Sequence, residues 1–171
     1  MKKRRRLIGL AILLGIGILA FCISIWFLKK ESLTPISKEY VQEVELYLPV
    51  DYNSLHVKRI VLKSPKETDK LALLLIEKLK EEKVVPSGTE ILHFALDDDG
   101  VIYLDLSPHL LEGVDESSEL VVVYSIVNTF IANIKNARKV QLLVDGEPLY
   151  TISGLIYTLW PLEYTREVTG D

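Results

Sequence analysis

Cysteine is almost absent from this chain of 171 residues, which contains only Cys22. Because Cys22 lies inside a hydrophobic run, the rest of the chain has no disulfide and no cysteine nucleophile. The three histidines, His56, His93 and His109, lie far apart, and their spacing matches no metal-binding motif. The sequence therefore predicts a domain stabilised by packing alone, with no cofactor, no bound metal and no catalytic residue.

Two polar clusters resemble functional motifs but are better explained as turns. Asp97, Asp98 and Asp99 lack the spacing of a calcium-binding EF-hand loop and precede a glycine, which is typical of a turn. Asp105 and Ser107 have no histidine base placed beside them by sequence, so a hydrolase has little support. They fit the end of a strand, where such side chains bond backbone N–H groups. No glycine-rich phosphate loop is present either.

Charge is divided unevenly along the chain. Residues 2–6 are all basic, whereas residues 31–171 contain 13 Lys+Arg and 24 Asp+Glu, a formal charge of −11. Such an acidic surface repels nucleic-acid phosphates and anionic lipid headgroups. We therefore expect no nucleic-acid partner for this part, and nothing indicates a small-molecule substrate.

Residues 7–28 form one uncharged hydrophobic run of 22 residues. A helix of that length spans about 33 Å, which matches a hydrocarbon core of about 30 Å. Basic residues 2–6 precede the run, and only Lys29 and Lys30 follow closely. Because the more positive side stays in the cytoplasm, the pattern predicts a single-pass transmembrane helix with the N-terminus inside. The remaining domain would be extracytoplasmic.

Two other interpretations of this run are less well supported. A cleaved signal peptide has an apolar region of about 7–15 residues followed by small residues. This run is longer and ends in Trp26, Phe27 and Leu28, which are bulky. A lipoprotein anchor at Cys22 needs a small preceding residue, and Phe21 is large. The pattern favours a retained helix, although cleavage and lipidation stay open.

The part after this run alternates between strand and helix patterns. Apolar residues alternate in the predicted strands, and Asp99-Gly100 is typical of a tight hairpin turn. One helix is predicted after an N-cap at Thr68, and a second over residues 119–134. The second is locally ambiguous because consecutive valines favour a strand, but its length and spacing favour a helix. The predicted strands are residues 41–48, 55–62, 91–96, 101–106, 140–144 and 149–152.

These elements predict an α+β fold of order β-β-α-β-β-α-β-β, with two helices on one face of a small, mostly antiparallel sheet. We divide the chain into a basic cytoplasmic end (1–6), a transmembrane helix (7–28), a tether (29–40), a domain (41–162) and a flexible tail (163–171). Strand 41–48 or strand 149–152 would form a free edge for pairing. Asn128, in an apolar helix, fits either a partner contact or a bond to a neighbouring loop, and we favour the loop bond.

Five short motifs occur in a fixed order along the chain: Val85-Pro86-Ser87-Gly88-Thr89, Asp99-Gly100, Leu104-Asp105-Leu106-Ser107, Ser125-Ile126-Val127-Asn128-Thr129-Phe130 and Val144-Asp145-Gly146-Glu147. In this order and spacing the chain resembles the GerMN domain family, from about Val44 to Pro161. The resemblance implies a bacterial, extracytoplasmic, membrane-tethered domain whose core resembles the α-β-β-α-β ring-building motif, with no established catalytic residues to carry over. Leu155 stands where family members often carry a histidine.

The expected function follows from the anchor, the lack of catalytic groups and this resemblance. We expect a non-catalytic interaction or assembly module of the cell envelope, linked to sporulation or spore germination. Its expected location is the bacterial cytoplasmic membrane, and its partners would be envelope proteins or copies of itself, in a ring or another oligomer. The alternative is a domain that binds a cell-wall ligand or assists a hydrolase.

Overall fold

The computed structural model describes residues 40–64 and 66–169, which belong to one compact unit. The basic end (1–6), the predicted transmembrane helix (7–28) and almost all of the tether lie outside these described residues. Within the described residues, no helix has both the length and the apolar character needed to cross a membrane. The structure therefore leaves the membrane anchor as a prediction.

The domain contains two helices and six strands in the described residues, which confirms the α+β class. Elements α1 to β5 follow the α-β-β-α-β order that the resemblance implies. The elements are β1 (Tyr40–Pro49), β2 (Leu55–Ser64), α1 (Thr68–Glu81), β3 (Ile91–Leu96), β4 (Val101–Leu106), a short 3₁₀ helix (Pro108–Leu111), α2 (Glu116–Asn133), β5 (Lys139–Val144) and β6 (Leu162–Glu163).

The strands form two sheets, so the expectation of one sheet was wrong. Strands β1 and β2 make a two-stranded antiparallel sheet. The second sheet has the order β3-β4-β5-β6, in which only β4 and β5 are parallel. The predicted strand at residues 149–152 was also wrong, and the sixth strand is β6 instead. Residues 149–152 form no strand because backbone groups of residues 147–161 bond to the partners described below.

The helices and both sheets share one apolar core. Leu75 and Leu79 of α1, Ile126 and Phe130 of α2, and Leu104 of β4 are fully buried in it. At roughly 25 cal/mol per Å² of buried apolar surface, such burial is the main stabilising contribution to a domain without disulfides.

The β3–β4 hairpin confirms the predicted bounds and the turn between them. The Asp97 carboxylate accepts hydrogen bonds from the N–H groups of Asp99 (3.0 Å) and Val101 (2.8 Å), so it acts as a turn residue. Gly100 has a φ of +83°, and a Cβ there would lie 2.5 Å from the carbonyl oxygen of Asn136. Only glycine fits both constraints.

The two helices begin differently. Asp115 is the N-cap of α2 and accepts from the N–H of Ser118, whose hydroxyl accepts from the N–H of Asp115. Hydrogen bonds from Ser118 lower the pKa of the Asp115 carboxyl. Helix α1 has Glu67 at its N-cap, with no side-chain capping bond, so the prediction of Thr68 was wrong. Thr68 is instead the first residue of the helix.

The outer edge of β1 is covered by side chains of α2. The Asn133 side chain accepts from the N–H of Glu45 (2.9 Å) and donates to its carbonyl (2.7 Å). Thr129 Oγ1 accepts from the N–H of Tyr47 (3.0 Å). Neither segment proposed as a free edge therefore serves as one: strand 41–48 is bonded to the helix, and residues 149–152 do not form a strand.

The C-terminal segment packs onto the domain as far as the structure describes it. Asn128 donates to the carbonyl of Thr165 (2.9 Å) and accepts from its N–H (3.1 Å), which confirms the predicted loop bond. Val168 is buried, and its carbonyl accepts from the N–H of Leu55. Residues 163–169 are thus fixed rather than a loose tail, and residues 170–171 lie outside the described range.

Candidate interaction surface

Residues 147–161, which we call the aromatic loop, carry four large apolar side chains into solvent. Tyr150 is 70% exposed, Trp160 67%, and Leu155 and Tyr157 are each 51% exposed. The rings of Tyr150 and Tyr157 meet edge to face, with centroids 6.1 Å apart. Exposed large apolar side chains on one loop, two of them in ring contact, are typical of a protein interaction site, because aromatic side chains dominate interface energetics.

The aromatic loop is fixed to α2 by a buried carboxylate. Glu119 is fully buried and lies in the first turn of α2. Its two oxygens accept from the N–H groups of Ile152 (2.7 Å) and Leu155 (2.6 Å). A carboxylate at a helix N-terminus is favoured by the helix dipole, and charge-assisted bonds are stronger than neutral ones. Glu119 therefore holds the segment that carries Leu155.

Three further hydrogen bonds restrain the aromatic loop. Ser153 donates to the carbonyl of Val114. Thr158 Oγ1 donates to the carbonyl of Leu149 (3.0 Å), and Gln141 Nε2 donates to the carbonyl of Thr158 (3.0 Å). Gln141 and Thr158 are themselves buried. The exposed rings thus project from a loop whose backbone is hydrogen-bonded to buried side chains. Because this backbone is already restrained, less conformational entropy is lost when a partner binds.

A cavity of about 830 Å³ lies beside the N-terminal end of α2. Its rim carries Asp51, Lys80, Lys83 and Glu112, so positive and negative charges are balanced. This differs from the acidic cleft that would favour a cell-wall ligand. The apolar lining consists mainly of the buried valines Val84, Val85, Val114, Val121 and Val122.

Ser107 and His109 are close, but their geometry does not suit nucleophilic catalysis. Ser107 Oγ lies 3.4 Å from Nδ1 of His109. The same hydroxyl accepts from the N–H of Glu90 (3.0 Å) and faces the carbonyl of Gly88 (3.3 Å). Ser107 is 5% exposed and does not line the cavity. Its hydroxyl is therefore occupied in joining two chain segments.

His93 and Asp105 form a pair across the β3–β4 hairpin. Nδ1 of His93 lies 3.0 Å from Oδ2 of Asp105. The Asp105 side chain is 4% exposed, whereas that of His93 is 86% exposed. The other carboxylate oxygen accepts from the N–H of Gly146 (2.9 Å). Asp105 thus connects β4 to the turn after β5. The sequence predicted that Asp105 would bond a backbone N–H group, and the group it bonds, that of Gly146, lies far away in sequence.

In the described part of the chain, no group of three or more His, Cys, Asp or Glu side chains is arranged to hold a metal ion. His56, His93 and His109 contribute to no such group.

Sequence reasoning missed the aromatic loop and the role of Glu119. The segment 149–152 was assigned to a strand, and Glu119 was interpreted only as a residue suited to a helix N-terminus. One signal was present: four aromatic residues lie within residues 150–164, and polar or turn residues separate them. A buried strand does not show that pattern.

Comparisons with known proteins agree with this architecture. A family model, Germane, described as "Sporulation and spore germination", matches residues 40–150. The match ends where the aromatic loop presents Tyr150, so most of this loop lies beyond it. No curated protein matches the chain significantly.

Solved structures share the fold at low sequence identity. The first GerMN domain of the sporulation protein GerM from Bacillus subtilis is 22% identical, with a TM-score of 0.56, and covers 74% of this chain and 98% of that one. The tandem GerMN domains of the same protein are 22% identical, with a TM-score of 0.58, and the match covers 73% of this chain and 46% of the tandem chain. A putative lipoprotein from Clostridium perfringens is 17% identical, with a TM-score of 0.50, and the match covers 73% of this chain and 87% of the lipoprotein chain. The chain thus spans about half of the tandem structure.

Proposed function

This chain belongs to the Germane family, and on that basis we propose that it is a membrane-anchored, non-catalytic interaction module of the bacterial cell envelope. The family is described by sporulation and spore germination, so we place its role in one of those processes. Its partner is another envelope protein. The anchor is the helix expected at residues 7–28, with the N-terminus in the cytoplasm and the described domain outside.

The observation that carries the proposal is the aromatic loop. Tyr150, Tyr157 and Trp160 are each more than half exposed, although the backbone beneath them is bonded to buried groups. Large aromatic side chains on a fixed backbone supply much of the binding energy of protein interfaces. A domain that needed only to be stable and soluble would gain nothing from exposing them.

The polar groups of the domain support a non-catalytic role. The hydroxyl of Ser107 is bonded to the backbone, and Asp105 is held between His93 and Gly146. An activated nucleophile needs a free hydroxyl and a base positioned to receive its proton. These residues stabilise the junctions between strands instead.

The proposal is tested by photo-crosslinking in cells of the native host. A photoreactive phenylalanine analogue replaces Tyr157 in the full-length chain, and adducts are collected from isolated membranes. We expect one major envelope-protein adduct, identified by mass spectrometry. Adding Trp160→Ala to the same chain should lower its yield about tenfold or more, as for an interface residue contributing about 1.4 kcal/mol or more.

Tyr52 provides the matched control. It is a tyrosine 66% exposed in the turn between β1 and β2, away from the aromatic loop in sequence. The same analogue at Tyr52 should not yield that adduct. Recovery of the chain in the cytosolic fraction, or equal adducts from both positions, would overturn the proposal.

A cell-wall ligand remains the competing function, and the cavity beside α2 is the place to test it. Its balanced rim and valine lining suit an apolar group better than a charged or sugar-like ligand. Sedimentation of the detergent-solubilised chain with purified peptidoglycan distinguishes the two functions. Binding that Val122→Lys abolishes and Trp160→Ala leaves intact would favour the ligand-binding role.

A further inference from the structure

The outer edge of β2 presents backbone groups that no described strand pairs with. In an antiparallel ladder, successive residues point their N–H and C=O groups to opposite edges. The N–H groups of Glu45 and Tyr47 point away from β2, toward α2. Arg59 and Val57 are their cross-strand partners, so the backbone N–H and C=O groups of these two residues point away from β1. The same holds for the backbone groups of Val61 and Lys63.

One end of this edge is already occupied. The N–H of Leu55 donates to the carbonyl of Val168, and Leu55 forms a parallel bridge with Thr169. This contact confirms which way the odd-numbered residues of β2 point. It also shows that this edge bonds to the backbone of another segment at one position. The groups left for a partner belong to residues 57, 59, 61 and 63.

We propose that β2 pairs with β2 of a second copy of this chain, antiparallel, about a two-fold axis at Ile60. Arg59 then lies opposite Val61 of the second copy, and Val57 lies opposite its Lys63. By symmetry each pair occurs twice, and the two hairpins join into one continuous sheet. Such a self-complementary interface is the usual way in which identical chains form a closed dimer.

Charge selects this register. With the axis at Ile60, Arg59 and Lys63 each face a valine, and Lys58 faces Leu62. Moving the axis to Val61 would place Arg59 opposite Lys63. Moving the axis to Arg59 would place Arg59 opposite Arg59 of the second copy. It would also require the backbone N–H of Leu55, which already donates to the carbonyl of Val168. Like charges directly opposite each other are destabilising, and the register at Ile60 avoids both conflicts while using all four free residues, 57, 59, 61 and 63.

The positive charges of β2 do not prevent the pairing. Lys58 pairs with Glu82 (2.6 Å), and Arg59 pairs with Glu45 (2.9 Å), within the same copy. Val61 is 68% exposed and Ile60 is half-buried. Pairing would cover both residues while satisfying backbone groups that otherwise depend on water.

A charge-reversal pair at one position tests the interface. The full-length chain in detergent, in a Cys22→Ser background, should show a monomer–dimer equilibrium by sedimentation equilibrium. Val61→Lys places a cation opposite Arg59 of the second copy, twice by symmetry, and should raise the dimer dissociation constant roughly tenfold. Val61→Glu is the matched variant, and it should leave the constant unchanged or lower it, because it faces the same arginine. A chain that is monomeric throughout, or equal effects of both variants, would overturn the pairing.

A crosslink tests the register. In the proposed arrangement Ile60 faces itself in a non-hydrogen-bonded pair, with Cα atoms about 4.5 Å apart, close enough for a disulfide. Ile60→Cys should form a disulfide-linked dimer under mild oxidation. Val61 would be only a diagonal neighbour of its own copy, at about 7–8 Å, so Val61→Cys should crosslink poorly. Faster crosslinking by Val61→Cys would refute this register.

The proposed dimer and the proposed function can be refuted independently of each other. Pairing uses β2, whereas partner capture uses the aromatic loop, and the two segments share no residue. A monomer that still yields the Tyr157 adduct would refute the dimer alone. A dimer without that adduct would refute the envelope partner alone.

Discussion

Buried polar residues determine how the loops of this domain are held. Glu119, Asn128 and Gln141 are all buried, and each bonds to the backbone of a segment more than ten residues away in sequence. Burying an amide or carboxylate without partners costs several kcal/mol, so these side chains are stable only while those segments stay in place. Loop position and side-chain burial therefore depend on each other.

Glu119→Gln tests this dependence at the aromatic loop. The amide retains one acceptor oxygen and turns its NH₂ toward a backbone N–H, which leaves a buried donor unsatisfied. We expect the free energy of unfolding to fall by about 2 kcal/mol. Urea denaturation of the full-length chain in detergent measures the change, and amide exchange of residues 150–157 should accelerate.

Glu116→Gln is the control for this substitution. It removes the same charge from the same first turn of α2, but Glu116 is exposed. Its effect should stay within about 0.5 kcal/mol. Equal effects of the two substitutions would mean that the helix dipole, and not the loop contact, determines the contribution of Glu119.

At the scale of single elements, hydrophobic spacing and capping chemistry account for most of the secondary structure. Alternation in residues 41–48 and helical spacing after Thr68 correspond to β1 and α1. Capping is uneven, however. Asp115 and Ser118 form a complete capping box, whereas Glu67 makes no side-chain capping bond. The N-terminus of α1 therefore leaves backbone N–H groups without a side-chain acceptor from its N-cap.

Glu67→Asp should stabilise the domain. Glu67 has φ −71° and ψ 125°, the extended conformation that N-cap residues adopt. A shorter carboxylate at that position can accept from an N–H of the first turn. We expect a gain of about 1 kcal/mol in the free energy of unfolding, measured by thermal or urea unfolding. Glu67→Gln, which lacks that geometry, should give no gain.

At the scale of the whole molecule, the C-terminal segment connects distant parts of the domain. Leu162–Glu163 adds an edge to β5, Thr165 bonds to Asn128 of α2, and Val168 bonds to Leu55 of β2. The segment thus touches both sheets and one helix. Its removal would expose the cluster of Tyr47, Leu55, Val121 and Val168.

Asn128→Ala tests whether this closure contributes to stability. The substitution removes both bonds to Thr165 and leaves the half-buried N–H and C=O groups of Thr165 without these partners, so we expect the free energy of unfolding to fall by about 1–3 kcal/mol. Hydrogen exchange followed by mass spectrometry should show that the substitution increases the exchange rate more in residues 162–169 than elsewhere in the domain. Asn53→Ala, at an exposed turn, is the control. Uniformly faster exchange across the domain would mean that the segment is not an independent closing element.

Local patterns in the sequence predicted the class of the fold, the bounds of the β3–β4 hairpin and the two helices, and they favoured the bond of Asn128 to a loop. These follow from local periodicity, turn chemistry and the need to satisfy a buried amide. The division into two sheets, the covering of β1 by Asn133 and Thr129, and the exposure of the aromatic loop became visible only in the folded domain. Those features depend on contacts between residues far apart in the chain, because the alternation that predicts a strand does not specify its neighbour or which edge stays open.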